Sequence, residues 1–116
     1  MAESRKPARS KRLEQGIALR SRLFGRKYVD EFLASGNVLD REVQTLVTEF
    51  GYGTIWSRPG LAPATRSMLT LALLAAPNCP EQLRAHITGA RNLGVTRREM
   101  IEIFLHVMLY CGAPAA

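Results

Sequence analysis

The sequence has few of the features that would place it in a membrane or in an oxidising compartment. Its longest apolar run lies around residues 68–77, is too short to span a bilayer and ends in a proline. The first residues are charged and no apolar segment follows them, so no secretory signal is indicated. The two cysteines are far apart and do not suggest a disulfide framework. We therefore expect a cytoplasmic protein with reduced thiols and no membrane partner.

Strand-type alternation of apolar and polar residues is also absent, and apolar residues recur at helical spacing instead. With 116 residues, 47% of them hydrophobic and 22% charged, the chain has the size and composition of one globular domain. The pattern predicts an all-α fold of five or six helices. The predicted helices are Ser10–Phe24, Tyr28–Ala34, Arg41–Tyr52 with Asp40 as its N-cap, one from Pro63, one from Asn78 or Pro80 closed by Gly94, and one capped by Thr96 and Glu99.

Burial and loops are predicted from the same pattern. The helix from Pro63 is apolar almost all round, so we expect it to be central. Val43, Leu46, Val47 and Phe50 form an apolar face that the third helix should bury. Residues 51–60 contain three glycines and a proline and predict a loop.

The net charge of +6 lies entirely in the N-terminal segment. Residues 1–26 hold eight basic and two acidic residues, whereas residues 27–116 hold eight of each. We predict a disordered basic N-terminus over residues 1–9, followed by a domain over residues 10–116. A basic tail could bind nucleic acid or an acidic partner, but no aromatic interleaving or nucleic-acid motif accompanies it, so we expect no nucleic-acid partner.

Two stretches resemble a known family. One is W-S-R-P-G-L-A-P-A-T-R-S at residues 56–67, and the other runs from L-R-A-H at 83–86 through A-R-N-L-G-V-T-R-R-E at 90–99 to Y-C-G-A-P-A-A at 110–116. In this order and spacing they are similar to the carboxymuconolactone decarboxylase family, over most of residues 10–116. The resemblance implies an alkylhydroperoxidase D-like helical bundle that assembles into trimers or hexamers. A further helix follows the last motif in that family, so the resemblance also implies a domain shortened at its C-terminus.

The resemblance implies decarboxylation of 4-carboxymuconolactone, a lactone dicarboxylate, to 3-oxoadipate enol-lactone in the protocatechuate branch of aromatic catabolism. No metal or organic cofactor is required, because the carbanion delocalises into the lactone carbonyl of the substrate itself. The protein must deliver a proton and stabilise developing charge. By motif position the resemblance assigns His86 as the proton donor. His106 also matches a histidine of the family's motifs. Glu102, His106 and Tyr110 follow each other at intervals of four residues and share one stripe of the last helix, so Glu102 could orient His106. We expect Glu102 and His106 to form a supporting catalytic pair.

Substrate binding is assigned in the same way. Arg58 and Arg66 match arginines of the family's motifs, and a guanidinium can bind a carboxylate with two parallel hydrogen bonds. Trp56 and Tyr110 are the further expected substrate contacts. The alternative for each arginine is an ordinary salt bridge, with Glu81, Glu99 or Glu102 as candidate partners. The alternative for the histidines is that one is a satisfied, partly buried residue.

Other functions stay open at this point. Cys79-Pro-Glu-Gln82 stands where redox relatives carry C-x-x-C, and without the second cysteine a dithiol relay cannot cycle. Cys79 is then either a reactive thiol at a helix N-terminus or a small packing residue. His86, His106 and Glu102 could gather around a metal ion, but their spacing matches no metal motif. A non-catalytic oligomeric interaction module is the remaining alternative.

Overall fold

A computed structural model describes residues 9–116, which form six α-helices and one π-helical segment, with no strand in that range. The elements are α1 Lys11–Phe24, α2 Arg26–Leu33, α3 Val38–Leu46, the π segment Val47–Trp56, α4 Pro63–Ala75, α5 Pro80–Asn92 and α6 Arg97–Cys111. The all-α prediction is confirmed. The predicted disordered N-terminus lies outside the described residues, except for Arg9. In the part of the chain that is described, no helix is long and apolar enough to cross a membrane.

The helix ends follow local signals in the sequence. Thr96 and Glu99 form the predicted capping box at the start of α6, each side chain accepting from the other's backbone N–H. Gly94 has a φ of +91° after α5, and the Val95 N–H reaches the Ala90 carbonyl at 2.9 Å, which closes the helix in a Schellman motif. The predicted cap at Asp40 is wrong. Asn37 caps α3 instead, its side-chain oxygen accepting from the Asp40 N–H at 3.0 Å.

The predicted loop at residues 51–60 is wrong for its first half, because residues 51–56 belong to the π segment. Two glycines let this segment cross α1 with the backbones in contact. A Cβ atom on Gly53 would lie 2.1 Å from the Arg12 carbonyl oxygen, and one on Gly16 would lie 2.0 Å from the Thr48 carbonyl oxygen. Glycine is therefore present here for close approach rather than for a turn.

The helices form two groups that meet where α1 packs against α5. In the N-terminal group, α1 packs on α2 and on the π segment around a core of Leu19, Leu23 and Tyr52. In the C-terminal group, α4 packs on both α5 and α6. Its core consists of Leu71, Ala90, Val95 and Met100.

Two predictions of burial are wrong. Helix α4 is not central, since Leu69 is 51% exposed and Leu73 is 70% exposed on its outer face. The apolar face of α3 and the π segment is also open, with Leu46 and Phe50 more than half exposed. The reason is the same in both places: the described residues supply no further helix layer to cover these faces. The molecule is correspondingly elongated, measuring 62 × 29 × 21 Å.

Candidate functional site

The residues predicted for the site lie in three different places. Trp56 and Arg58 line a cavity between α1 and the loop that follows the π segment. His86 lies in the contact between α5 and α1. Glu102, His106 and Tyr110 line a groove between α4 and α6.

The cavity beside Trp56 has a volume of about 660 Å³ and a basic rim. Arg22 of α1 and Arg58 of the loop both line it, while Trp56 and neighbouring prolines supply apolar surface. Arg66 supports the loop from α4, because one of its terminal nitrogens donates to the Arg58 carbonyl at 3.3 Å. The Arg66 Nε atom is buried without a hydrogen-bond partner in the described range.

Neither of these two arginines forms the salt bridge that was the alternative to anion binding. The ion pairs within residues 9–116 join Arg9 to Glu14, Arg26 to Asp30 and Arg98 to Glu102. Arg58 and Arg66 are thus cationic groups without a carboxylate partner in this range, as a site for an anion requires.

The groove between α4 and α6 has a volume of about 650 Å³ and is mainly apolar. The stripe predicted for α6 lines it, with the rings of His106 and Tyr110 5.0 Å apart. Both residues are exposed. Glu102 forms no hydrogen bond or ion pair with His106 and instead pairs with Arg98, with 3.5 Å between the nearest nitrogen and oxygen. The groove therefore places these side chains side by side but leaves them open to solvent.

His86 is half-buried and lies against the edge of the Phe24 ring, with 5.1 Å between ring centroids. Its Nδ1 atom is buried and has no hydrogen-bond partner in the described part of the chain. Burial lowers the pKa of His86 below its ordinary value of 6.5, and the positive charge of Arg20 lowers it further. A satisfied core histidine would have a partner for this nitrogen, so that alternative does not describe His86.

Arg20 is a buried cation that the motifs did not indicate. Its terminal nitrogens donate to the Thr48 hydroxyl and to the Gln44 side-chain oxygen, each at 2.9 Å. Its guanidinium carbon lies 4.5 Å from the centre of the Phe32 ring and 5.3 Å from that of Tyr52. Burial lowers the pKa of Arg20 and raises that of Tyr52, each shift being partly offset by the other group. The sequence held one signal for Arg20: it falls on the apolar face of α1, three residues after Ile17.

Two alternatives are tested by the geometry. Cys79 is half-buried at the start of α5, Cys111 is exposed, and both are free thiols, so no dithiol pair exists in residues 9–116. No three His, Cys, Asp or Glu side chains in that range lie close enough together to share a metal ion. The arrangement of His86, His106 and Glu102 around one metal is therefore wrong.

Comparison with known proteins agrees with the motifs. The profile of the carboxymuconolactone decarboxylase family matches residues 41–116. The chain is 39% identical over 105 residues to the 4-carboxymuconolactone decarboxylase of Acinetobacter baylyi, a match covering 90% of this chain and 78% of that protein. It is 40% identical over 102 residues to the nitrosuccinic acid decarboxylase of Metarhizium robertsii, covering 88% of this chain and 71% of that protein. Both names describe carboxy-lyases, which supports decarboxylase activity here. By its motifs, its helical fold and these matches, the chain belongs to the carboxymuconolactone decarboxylase family.

Proposed function

We propose that the protein decarboxylates 4-carboxymuconolactone to 3-oxoadipate enol-lactone, without a cofactor, in the protocatechuate branch of aromatic catabolism. The observation that carries the proposal is the 39% identity, over 90% of the chain, to a relative with that name. His86 is half-buried, and Arg58 and Arg66 form no ion pair within residues 9–116, so these residues supply groups of the chemical types that the reaction needs.

The chemistry requires one proton per turnover. The bond between the γ-carbon and its carboxylate breaks, carbon dioxide leaves, and the electron pair remains on the substrate. That pair delocalises through the double bond to the lactone oxygen. A proton then adds to the α-carbon, so that substrate anion and one proton become enol-lactone and carbon dioxide. The protein must bind the retained carboxylate, stabilise the enolate-like oxygen and supply that proton.

We assign His86 as the proton donor. Because its imidazole is half-buried, bulk water competes with it as a donor less than it would with an exposed imidazole. In our proposal Glu102 and His106 support catalysis from the α4–α6 groove. We assign the retained carboxylate to Arg58, in the cavity that it shares with Trp56. Arg66 fixes the Arg58 backbone through its contact with the carbonyl oxygen.

We also propose that a second copy of the chain covers the α4–α6 groove, within a trimer or hexamer. Leu73 and Tyr110 line this groove and are each at least 70% exposed, which is costly for large apolar side chains on a lone chain. The radius of gyration is 16.2 Å, whereas a compact chain of about 100 residues has about 13 Å. Tyr110 would then be a substrate contact only in the assembled form.

The second relative suggests a different substrate for the same chemistry. Nitrosuccinic acid is also a dicarboxylic acid, and its nitro group can accept the electron pair that the departing carbon dioxide leaves behind. The 40% identity to a nitrosuccinic acid decarboxylase therefore favours it as the second candidate substrate.

The test is turnover of both compounds by the purified protein, with 4-carboxymuconolactone generated in place by its cycloisomerase. Wild-type protein should release carbon dioxide from the lactone, and His86→Ala should lose at least about a hundredfold in kcat, the usual contribution of a general acid. Arg84→Ala, an exposed change two residues away on the same helix, should retain full activity. A folded oligomer that turns over only nitrosuccinic acid would reassign the substrate. One that turns over neither compound would favour the non-catalytic module.

A further inference from the structure

Arg20 is the buried charged group that the proposed reaction does not yet use. Only 7% of the residue is exposed, which is unusual for an arginine. A buried guanidinium normally faces a carboxylate, because the attraction offsets the cost of removing it from water. Here its hydrogen-bond partners are the neutral Thr48 and Gln44 side chains, and its Nε atom has none within the described residues. Its positive charge is therefore not neutralised locally in residues 9–116.

Arg20 lies one helical turn from Phe24, the residue of α1 against which His86 packs. Arg20 and Phe24 are one turn apart on α1 and so lie on the same face of the helix. The His86 ring packs on the edge of Phe24, and its buried Nδ1 atom lacks a partner in the described range. In such a poorly solvated contact, a positive charge acts more strongly than it would through water.

The other ionisable groups on the elements packed against His86 are either uncharged or at least partly exposed to solvent. Burial keeps Tyr52, which lies beside Arg20, in its uncharged form by raising its pKa. The only charged residue of α4 is Arg66. The remaining ionisable residues of α1 and α5, together with the α5 N-cap Cys79, are exposed or half-buried: Lys11, Arg12, Glu14, Arg22, Cys79, Glu81, Arg84 and Arg91.

We propose that Arg20 is a positioning residue for the reaction, whose buried charge keeps the His86 ring neutral in the empty enzyme, so that the proton arrives together with an anionic substrate. The proposal rests on the proposed function, in which His86 is the proton donor. Before binding, desolvation and Arg20 both oppose a second positive charge. A bound carboxylate reverses this balance, since a nearby negative charge favours the imidazolium. His86 thus takes a proton from solvent on binding and passes it to the substrate carbon after carbon dioxide leaves.

The first experiment follows the two imidazole rings by NMR during a pH titration, without substrate. The chain has only two histidines, so His106→Gln assigns the signals. Arg20→Met should raise the pKa of His86 by about half a unit or more, because a buried charge is removed. Arg20→Lys keeps the charge and should leave the pKa low. Arg84→Met removes an exposed arginine from the same helix as His86 and should change nothing.

Two outcomes would overturn the proposal. One is a pKa of His86 that is the same in Arg20→Met and in wild type. The other is an equal shift in the Met and Lys variants, since this would report altered packing rather than charge. If Arg20→Met does not fold, Arg20→Gln replaces it, because an amide can still bond to Thr48 and Gln44. Failure of both neutral variants to fold would make Arg20 a residue of the fold and reject the positioning role.

The second experiment compares the pH profiles of turnover. The pH profile of kcat/KM reports the pKa values of the free enzyme, and the pH profile of kcat reports those of the enzyme–substrate complex. In wild type, the loss of activity with rising pH should occur at higher pH for kcat than for kcat/KM. Arg20→Met should narrow the pH difference between the two profiles, whereas Arg84→Met should preserve it. Wild-type profiles that coincide would refute the uptake of a proton together with the substrate. If wild type turns over neither substrate while the NMR shift is present, the proposed function fails and the coupling of Arg20 to His86 stands.

Discussion

The crossing of α1 and the π segment gives the sharpest prediction for stability. Gly53→Ala would place a Cβ atom 2.1 Å from the Arg12 carbonyl oxygen, and real Cβ contacts are essentially never shorter than 3.0 Å. The atom in the way is backbone, so no side-chain rotation can relieve the overlap. Either α1 or the π segment must move, and this contact borders the core of Leu19, Leu23 and Tyr52.

The expected magnitude is the difference between two effects. Alanine stabilises a helix interior by about 1 kcal/mol relative to glycine. Overpacking costs about 1–3 kcal/mol, and more where the neighbour cannot yield. Because the Arg12 carbonyl cannot yield without moving a helix, we expect a net loss of about 2 kcal/mol or more in the free energy of unfolding. For a domain of this size that lowers the Tm by about 8 °C or more.

Gly51→Ala is the matched control, two residues away in the same segment. Its Cβ atom would meet only the Val47 side chain, at an ordinary contact distance of 3.9 Å. Urea unfolding can be followed by the fluorescence of Trp56, the only tryptophan, which stacks on Tyr52 at 5.2 Å. All variants must be compared at one protein concentration, since assembly would add to stability. Equal stability of the Gly51 and Gly53 variants would refute the close crossing.

Three further predictions concern acid stability, a helix cap and assembly. Because the folded pKa of His86 lies below 6.5, the unfolded chain binds more protons as the pH falls below that value, and the free energy of unfolding should decrease. Urea unfolding across pH should show this decrease in His106→Gln but not in His86→Phe. Thr96→Ala removes the capping box of α6 and should cost about 1 kcal/mol in the same assay, whereas no loss would contradict the cap. Leu73→Asp should dissociate the proposed oligomer in light scattering, whereas Leu39→Asp, equally exposed on α3, should not. A wild-type protein that is monomeric in the same measurement would refute the proposed assembly.

The end of α5 and the start of α6 were predictable from the sequence because their signals are local. The capping box of α6 and the Gly94 closure of α5 each involve only residues that are close together along the chain. For the glycines of the π segment, the neighbouring residues do not indicate which structural role the glycine has. Glycine at a turn and glycine at a helix crossing look alike in sequence, and the atom that Gly53 must accommodate belongs to Arg12, far away along the chain.

For the site, the sequence indicated candidate residues but not how they are arranged. Motif positions indicated His86 and Arg58, and helical spacing indicated Glu102, but neither gives the distances between these residues. In the structure the three residues lie in separate places. Arg20 could have been noticed as a charged residue on an apolar helix face. That its partners would be a hydroxyl and an amide rather than a carboxylate depends on how α1 meets α3 and the π segment, which spacing along the chain does not specify.

The two histidines differ in a way that makes the assembly state relevant to the chemistry. His86 is half-buried within a single chain, whereas His106 is exposed in a groove that only another layer could close. A proton donor to a carbanion works best where bulk water is excluded, because water competes as a donor and screens the charges. If His86 alone serves this role, a folded Leu73→Asp monomer should keep its activity per chain. If the α4–α6 groove also takes part, activity should be lost together with assembly, and His106 would acquire a dry environment only from the second copy.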